Sequence, residues 1–159
     1  MIPMPDMKKI IAFNEDQIDH VVLVQKQVLD LCNKLLVSAI EHDRSKFSEL
    51  EYTAFVESRD SLNQSKTGTD EEYQKHLKGE AIQHHITNNP HHAEYWDARN
   101  EHMPFHEIVS MFFDWRSRCL AKGGNMDAFW EYNIAKLKNQ PHAIAIVECL
   151  KEEYDNAEV

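Results

Sequence analysis

The chain has 159 residues, 42% of them apolar, and a formal net charge of −10. That length suits one domain with a real core, and the acidic balance argues against non-specific DNA or RNA binding, which relies on Lys and Arg neutralising phosphates. Gly (4) and Pro (5) are scarce, which favours long helices with short connections, and no apolar run approaches the ~20 residues needed to span a membrane.

In chain order, residues 1–13 read as an N-terminal extension without a signal peptide's basic and apolar regions. The first predicted helix covers about residues 14–41. Asn14 is its cap, and Ile18, Val21, Val28, Leu29, Leu35 and Ile40 recur at helical spacing. A short helix is expected over 46–58, a mobile loop over 61–69, and a helix from Thr69 to about Asn89. Pro90 ends that helix, because the residue before proline is pushed out of helical geometry. A polar link follows. Met103-Pro104 then opens a helix carrying Ile108, Met111, Phe112, Trp115 and Cys119, which ends at Gly123-Gly124. Asn125 caps a segment over 126–137, and Pro141 opens the last helix, about 142–154. No strand alternation, internal repeat or linker is present, so the expected fold is all-α: one domain, a bundle of six or seven helices.

The three cysteines, Cys32, Cys119 and Cys149, form no CxxC and sit among apolar residues. They are expected to be small core residues of a protein from a reducing cytoplasm.

Ten histidines are the main chemical feature. They include His84-His85-Ile86-Thr87-Asn88-Asn89-Pro90-His91-His92, with His76 nearby, then His42-Asp43-Arg44-Ser45-Lys46, and His20. Neutral imidazole is the commonest protein ligand for transition metals. Adjacent helical residues diverge by about 100°, so the His42-Asp43 doublet needs a bridging Asp or a distorted helix to serve a metal. His85 and Asn89 share a face, and the turn at Pro90 can bring His91 and His92 toward the same point. The competing explanation is a polar surface tract. Asp114, within Met111-Phe112-Phe113-Asp114-Trp115, is a costly carboxylate unless paired or ligated. Arg118, four residues on, is its alternative partner, and Glu107 shares its face. His102, His106 and His142, near helix starts, are expected at the surface.

The order His20, His42-Asp43, His84/His85, His91/His92, Asp114 resembles the HD superfamily of metal-dependent phosphohydrolases, an all-α, HD-domain-like scaffold. Lys46 matches the lysine of the frequent His-Asp-x-Gly-Lys form, with Ser45 where Gly is usual. The extra histidines look like the superfamily's dinuclear branch, which includes cyclic-dinucleotide phosphodiesterases and mixed-valent di-iron oxygenases. Most of the chain, through Asn89-Pro90-His91-His92-Ala93-Glu94-Tyr95-Trp96 and Phe113-Asp114-Trp115, is also similar to an uncharacterised HD-like family of bacteria and bacteriophages.

The resemblance implies one or two divalent transition metal ions (Mn, Fe, Co, Ni or Zn). His20, His42 and Asp114 would hold one, and Asp43 would bridge two, or bind one and position water. His85 with His91, His92 or both would complete the second. Lys46 would contact a substrate phosphate or orient Asp43. Arg44, Arg116 and Arg118 are available for phosphate oxygens, and Tyr95 and Trp96 could stack on a base. The implied function is hydrolysis of a phosphate ester or anhydride, with a small phosphorylated ligand such as a nucleotide as partner. No membrane association is expected, homo-oligomerisation is left open, and the setting is the cytoplasm of a bacterial or phage-infected cell. Two rivals stand beside it: a di-iron oxygenase with the same ligand order, and a non-catalytic binding protein for a nucleotide or protein that keeps the metal site for folding.

Overall fold

The helix-forming run Met-Lys-Lys-Ile-Ile-Ala-Phe begins α1, which extends from Met7 to Ile40 in the computed structural model. The structure describes residues 6–57, 79–121 and 126–155. Asp6, not Asn14, is the N-cap: its Oδ1 accepts the Lys8 amide at 3.2 Å. Asn14 lies inside the helix, where an asparagine costs only a few tenths of a kcal/mol, about 0.7 at most, against alanine. α1 ends at Glu41, and Asp43 then takes a left-handed conformation (φ 59°), which Asp tolerates better than most side chains. A 3-10 turn (Arg44–Phe47) and α2 (Glu49–Glu57) follow.

α3 runs from Glu80 to Asn88, and Asn89 before Pro90 is extended, as its position requires. The predicted polar link contains one further short helix, α4 (Ala93–Asp97). α5 (Phe105–Ala121), α6 (Met126–Ile134) with a 3-10 turn (Ala135–Leu137), and α7 (Pro141–Asp155) complete the chain. The predicted loop 61–69, the start of the predicted helix at Thr69, His76, Gly123-Gly124 and the Asn125 cap lie outside the described residues. Those residues form a single all-helical domain of seven α-helices without a strand. None of the helices is long and apolar enough to cross a membrane.

The core gathers Ile108, Met111, Phe112 and Trp115 from α5, Leu137 after α6, and Val147 from α7, with Ala93 and Met103. The α5 positions are spaced i, i+3, i+4, i+7, one helical stripe. Trp115 meets Trp130 edge-on at 6.2 Å. Gln140, buried, ties the preceding loop to this core: its Oε1 accepts the Met103 amide at 3.0 Å and its Nε2 donates to Asp97 at 2.8 Å. α1 packs along α5, and α2 packs on α3. Cys119 is buried, but Cys32 and Cys149 are exposed, because each falls on the outer side of its helix.

Candidate metal centre

Four segments bring polar side chains together beside the core. The first is the left-handed turn after α1. Because Asp43 leaves helical geometry there, it does not diverge from His42 as a helical neighbour would: His42 Nε2 lies 3.7 Å from Asp43 Oδ2 and 3.3 Å from Asp114 Oδ1 on α5. The second is α3, where His85 is buried and its Nε2 stands 3.1 Å from Asp43 Oδ1. The third is the turn after Pro90. His91 Nε2 sits 3.4 Å from Asp43 Oδ1, and His92 Nε2 sits 3.1 Å from His85 Nε2. The fourth is Asp114 itself.

Two sets of potential ligand atoms result: Asp43, His85, His91 and His92, and His42, His91 and Asp114, with all atoms of a set within 4.8 Å of one another. The separations have a chemical meaning. Ligands held about 2.1 Å from a cation in a tetrahedron stand roughly 3.4 Å apart. Asp43 Oδ1 and His91 Nε2 are both buried and make no well-directed hydrogen bond, although His85 Nε2 and His91 Nε2 crowd that oxygen at 3.1 and 3.4 Å. Buried polar atoms are seldom left so, and a cation between them would satisfy both. Asp43 offers Oδ1 to the first set and Oδ2 toward His42, the geometry of a bridging carboxylate. The all-nitrogen-and-oxygen donor set fits a borderline divalent transition metal.

Protonation states agree with that use. Burial pushes the Asp43 carboxyl up, but His85, His91 and the Lys46 ammonium outweigh it and hold it far below the usual carboxylate range. Burial likewise opposes His42 and Arg118 at Asp114, which ends well below its ordinary value. Burial, then the neighbouring His91 and His85, hold His92 well below the ordinary imidazole value. Two ionised carboxylates and a neutral imidazole are what a metal requires, since protonated ligands must lose their protons to bind. His42 runs the other way: its contact with Asp114 raises it, so a cation bound there would have to displace its proton.

Behind the ligands stands Glu51 of α2, fully buried. Its Oε2 accepts from Ser45 Oγ (2.8 Å) and His85 Nδ1 (2.9 Å), and its Oε1 pairs with His84 Nδ1 (2.6 Å). An acceptor at Nδ1 places the imidazole proton there and leaves His85 Nε2 free as a ligand, the usual carboxylate–histidine–metal arrangement. Asn89 adds a bond from Nδ2 to Ser45 Oγ at 2.6 Å. Sequence reasoning missed Glu51. Ser48-Glu49-Leu50-Glu51 has the form of a helix-start capping box, and Ser48 Oγ does accept the Glu51 amide at 3.3 Å. The glutamate side chain instead turns inward.

Several predicted site residues stand elsewhere. His20 is exposed on α1, 22 positions before His42. At ~1.5 Å per residue along a continuous helix it is roughly 30 Å away, so it cannot join His42 and Asp114; His91 occupies that place. His84 turns to Glu51, not to Asp43. Arg44 is exposed and paired with Glu41 at 2.6 Å. Arg116 donates to the Tyr154 carbonyl on α7 at 3.3 Å. Trp96 donates from Nε1 to the Pro90 carbonyl at 2.6 Å and packs on the core. Tyr95 lies under the Arg99 guanidinium at 3.5 Å. Both aromatic rings are thus engaged in internal contacts instead of stacking in the site. Trp130 also packs on the core, whereas Tyr132 is exposed.

The cations that do reach the site are Lys46, ion-paired with Asp43, and Arg118. Arg118 Nε lies 2.9 Å from Asp114 and its Nη2 lies 3.7 Å from Asp43. The Asp114–Arg118 pair therefore coexists with the His42 contact. A cavity of about 410 Å³ between the C-terminal end of α1 and the start of α5 opens onto His42 and His91. His106 and Glu107 also line it, and Glu107 accepts from Ser38 Oγ at 3.0 Å. His106, expected at the surface, is half-buried there.

No match was found among the curated proteins or among the solved structures. The family model for DUF5662, a family of unknown function, matches residues 9–155, which spans α1 through α7 and every residue of the histidine–carboxylate cluster. The chain belongs to the DUF5662 family.

Proposed function

We propose that this protein is a metal-dependent phosphohydrolase acting on a small phosphorylated ligand such as a nucleotide, with one or two divalent transition metal ions held by His42, Asp43, His85, His91, His92 and Asp114. The observation that carries the reading is the facing pair of buried, unsatisfied atoms, Asp43 Oδ1 and His91 Nε2, at 3.4 Å. When bound, a divalent cation supplies Lewis acidity, which acidifies water and offsets charge on a phosphoryl group.

The chain's own residues supply the rest. Glu51 fixes the His85 tautomer. Lys46 holds Asp43 in its left-handed turn, which keeps both carboxylate oxygens directed into the cluster. Lys46 and Arg118 sit where phosphate oxygens would approach, and Arg118, half-exposed, presents the planar fork suited to them. The cavity beside His42 and His91 falls within the ~300–1,000 Å³ range of small-molecule sites. It gives the non-reacting part of a ligand somewhere to lie.

The test is metal analysis of purified protein followed by a nucleotide panel, with Asp43→Ala as control. Stoichiometric transition metal with phosphate release, both lost in the folded variant, is the expected result. Wild type without stoichiometric metal, behaving like the variant, sinks the reading. Iron together with oxygen consumption and no phosphate release replaces it with an oxygenase. Ligand binding without turnover replaces it with a binding protein.

A further inference from the structure

No residue of α1 is buried, yet the helix is rich in large apolar side chains. Ile18, Leu29, Leu36 and Ile40 are 60–77% exposed. They do not face α5, because Leu35 and Ser38 occupy that side and Leu36 is turned about 100° from Leu35. Among the exposed apolar residues, Ile11, Ile18, Val22, Leu29, Leu36 and Ile40 line up on the side opposite Ser38 at the 3–4 spacing of a coiled coil, interrupted by Glu15, Gln25 and Cys32. Solvated monomers seldom leave so long an apolar strip open.

We infer that α1 pairs with α1 of a second copy of this chain, antiparallel, forming a homodimer through this seam. In a twofold antiparallel pair, facing positions have numbers with a constant sum. One register places Met7 against Ile40, Ile11 against Leu36, Ile18 against Leu29, and Val22 against Gln25 of the second copy, every pair summing to 47. Glu15 faces Cys32 in that register and is its weakest layer. The same register brings Asp19 beside Lys26 of the second copy, and Lys26 beside Asp19, in the interval between the Ile18–Leu29 and Val22–Gln25 layers. A parallel pair sets Asp19 against Asn14 and Lys26 against Val21, with no ion pair. Charge complementarity therefore selects the antiparallel arrangement. A helix of 34 residues is about 51 Å long, so a seam roughly 10 Å wide covers on the order of 1,000 Å² over both copies. That reaches the lower limit for a specific interface, and the interface is isologous, so it closes at two subunits.

The experiment is light scattering on the full chain at tens of micromolar. The expected mass is twice 18.6 kDa, falling to the single-chain mass in Ile18→Glu/Leu29→Glu with helical circular dichroism retained. Asp19→Lys should weaken the dimer, and Asp19→Lys/Lys26→Asp should restore it. In a Cys32→Ser/Cys149→Ser background, Ile18→Cys/Leu29→Cys should oxidise to a covalent dimer while Ile18→Cys alone should not. A wild-type monomer, a tetramer, a dimer untouched by the two glutamates, or cross-linking by Ile18→Cys alone each overturns the inference. The metal site plays no part in any of these readouts.

Discussion

α1 and α5 carry similar proportions of apolar residues, yet α5 buries Ile108, Met111, Phe112, Trp115 and Cys119 and α1 buries nothing. Periodicity reveals that a helix has an apolar face; it does not reveal what covers it. α5 lies between α1, α6 and α7, so its stripe meets partners within the chain. α1 meets α5 along one side, and among the described residues the opposite side stays exposed. The chemistry divides in the same way. α5 contributes Asp114 from within its length, whereas α1 contributes nothing from its middle and delivers His42 and Asp43 only where it ends.

The sharpest way to break this comparison is Phe112→Ala against Leu29→Ala. Phe112 is fully buried, and its truncation should cost about 3–5 kcal/mol of unfolding free energy, independent of protein concentration. Leu29→Ala should cost less than about 1 kcal/mol once the chain is dilute enough to be monomeric, because an exposed side chain loses little on truncation. Equal, concentration-independent losses in urea titrations would mean that α1 is covered within the chain.

The next effect concerns Glu51. Glu51→Gln keeps the side-chain shape but removes the charge that fixes His85. Supporting partners of this kind typically contribute 10–100-fold in metal affinity, which is about 1.4–2.7 kcal/mol. Competition with a chromophoric chelator measures it. An unchanged affinity would make Glu51 a folding residue only.

A smaller effect follows from protonation in the chelated protein. His92 has a folded pKa below the 6.5 of an ordinary imidazole, so the unfolded chain takes up the extra proton. Its contribution to stability is present above pH 6.5 and lost as pH falls toward the folded value. His42, with its pKa raised, behaves in the opposite sense: its contribution is present below pH 6.5 and lost as pH rises through the folded value. His92→Gln should flatten the acid side of a urea-midpoint profile between pH 5 and 8, and His42→Gln the alkaline side. Identical profiles for both variants would contradict the two environments.

The smallest expected effect is none. His20→Ala should leave metal stoichiometry unchanged, because the unbroken length of α1 keeps His20 far from the cluster. Loss of a metal ion in that variant would require α1 to bend.

Much of this was legible in the residues. The stripe of α5, the stop at Pro90, the pairing of His85 with Asn89 and the all-helical class all come from local rules that act within a turn or two. The His42-Asp43 doublet was legible as a difficulty, since two helical neighbours diverge. A left-handed Asp43 resolved it, and left-handed backbone leaves only a weak mark in sequence when the residue is Asp instead of glycine. Glu51 was hidden because a capping-box glutamate and an inward-turned one have the same spelling. His20 was misplaced because a motif written in order contains no distances, whereas a helix that continues for 22 residues separates its ends.

The sequence by itself determined that the chain is helical, acidic and rich in imidazole beside carboxylate, because composition and periodicity act through short-range backbone and side-chain preferences. The tertiary structure decided which imidazoles converge. It set Asp43 between His85, His91 and His42, set His20 apart, and, among the described residues, left one face of α1 exposed. Those are long-range outcomes, settled by how α3, α5 and the turn at Pro90 pack around one core, and no local preference specifies them.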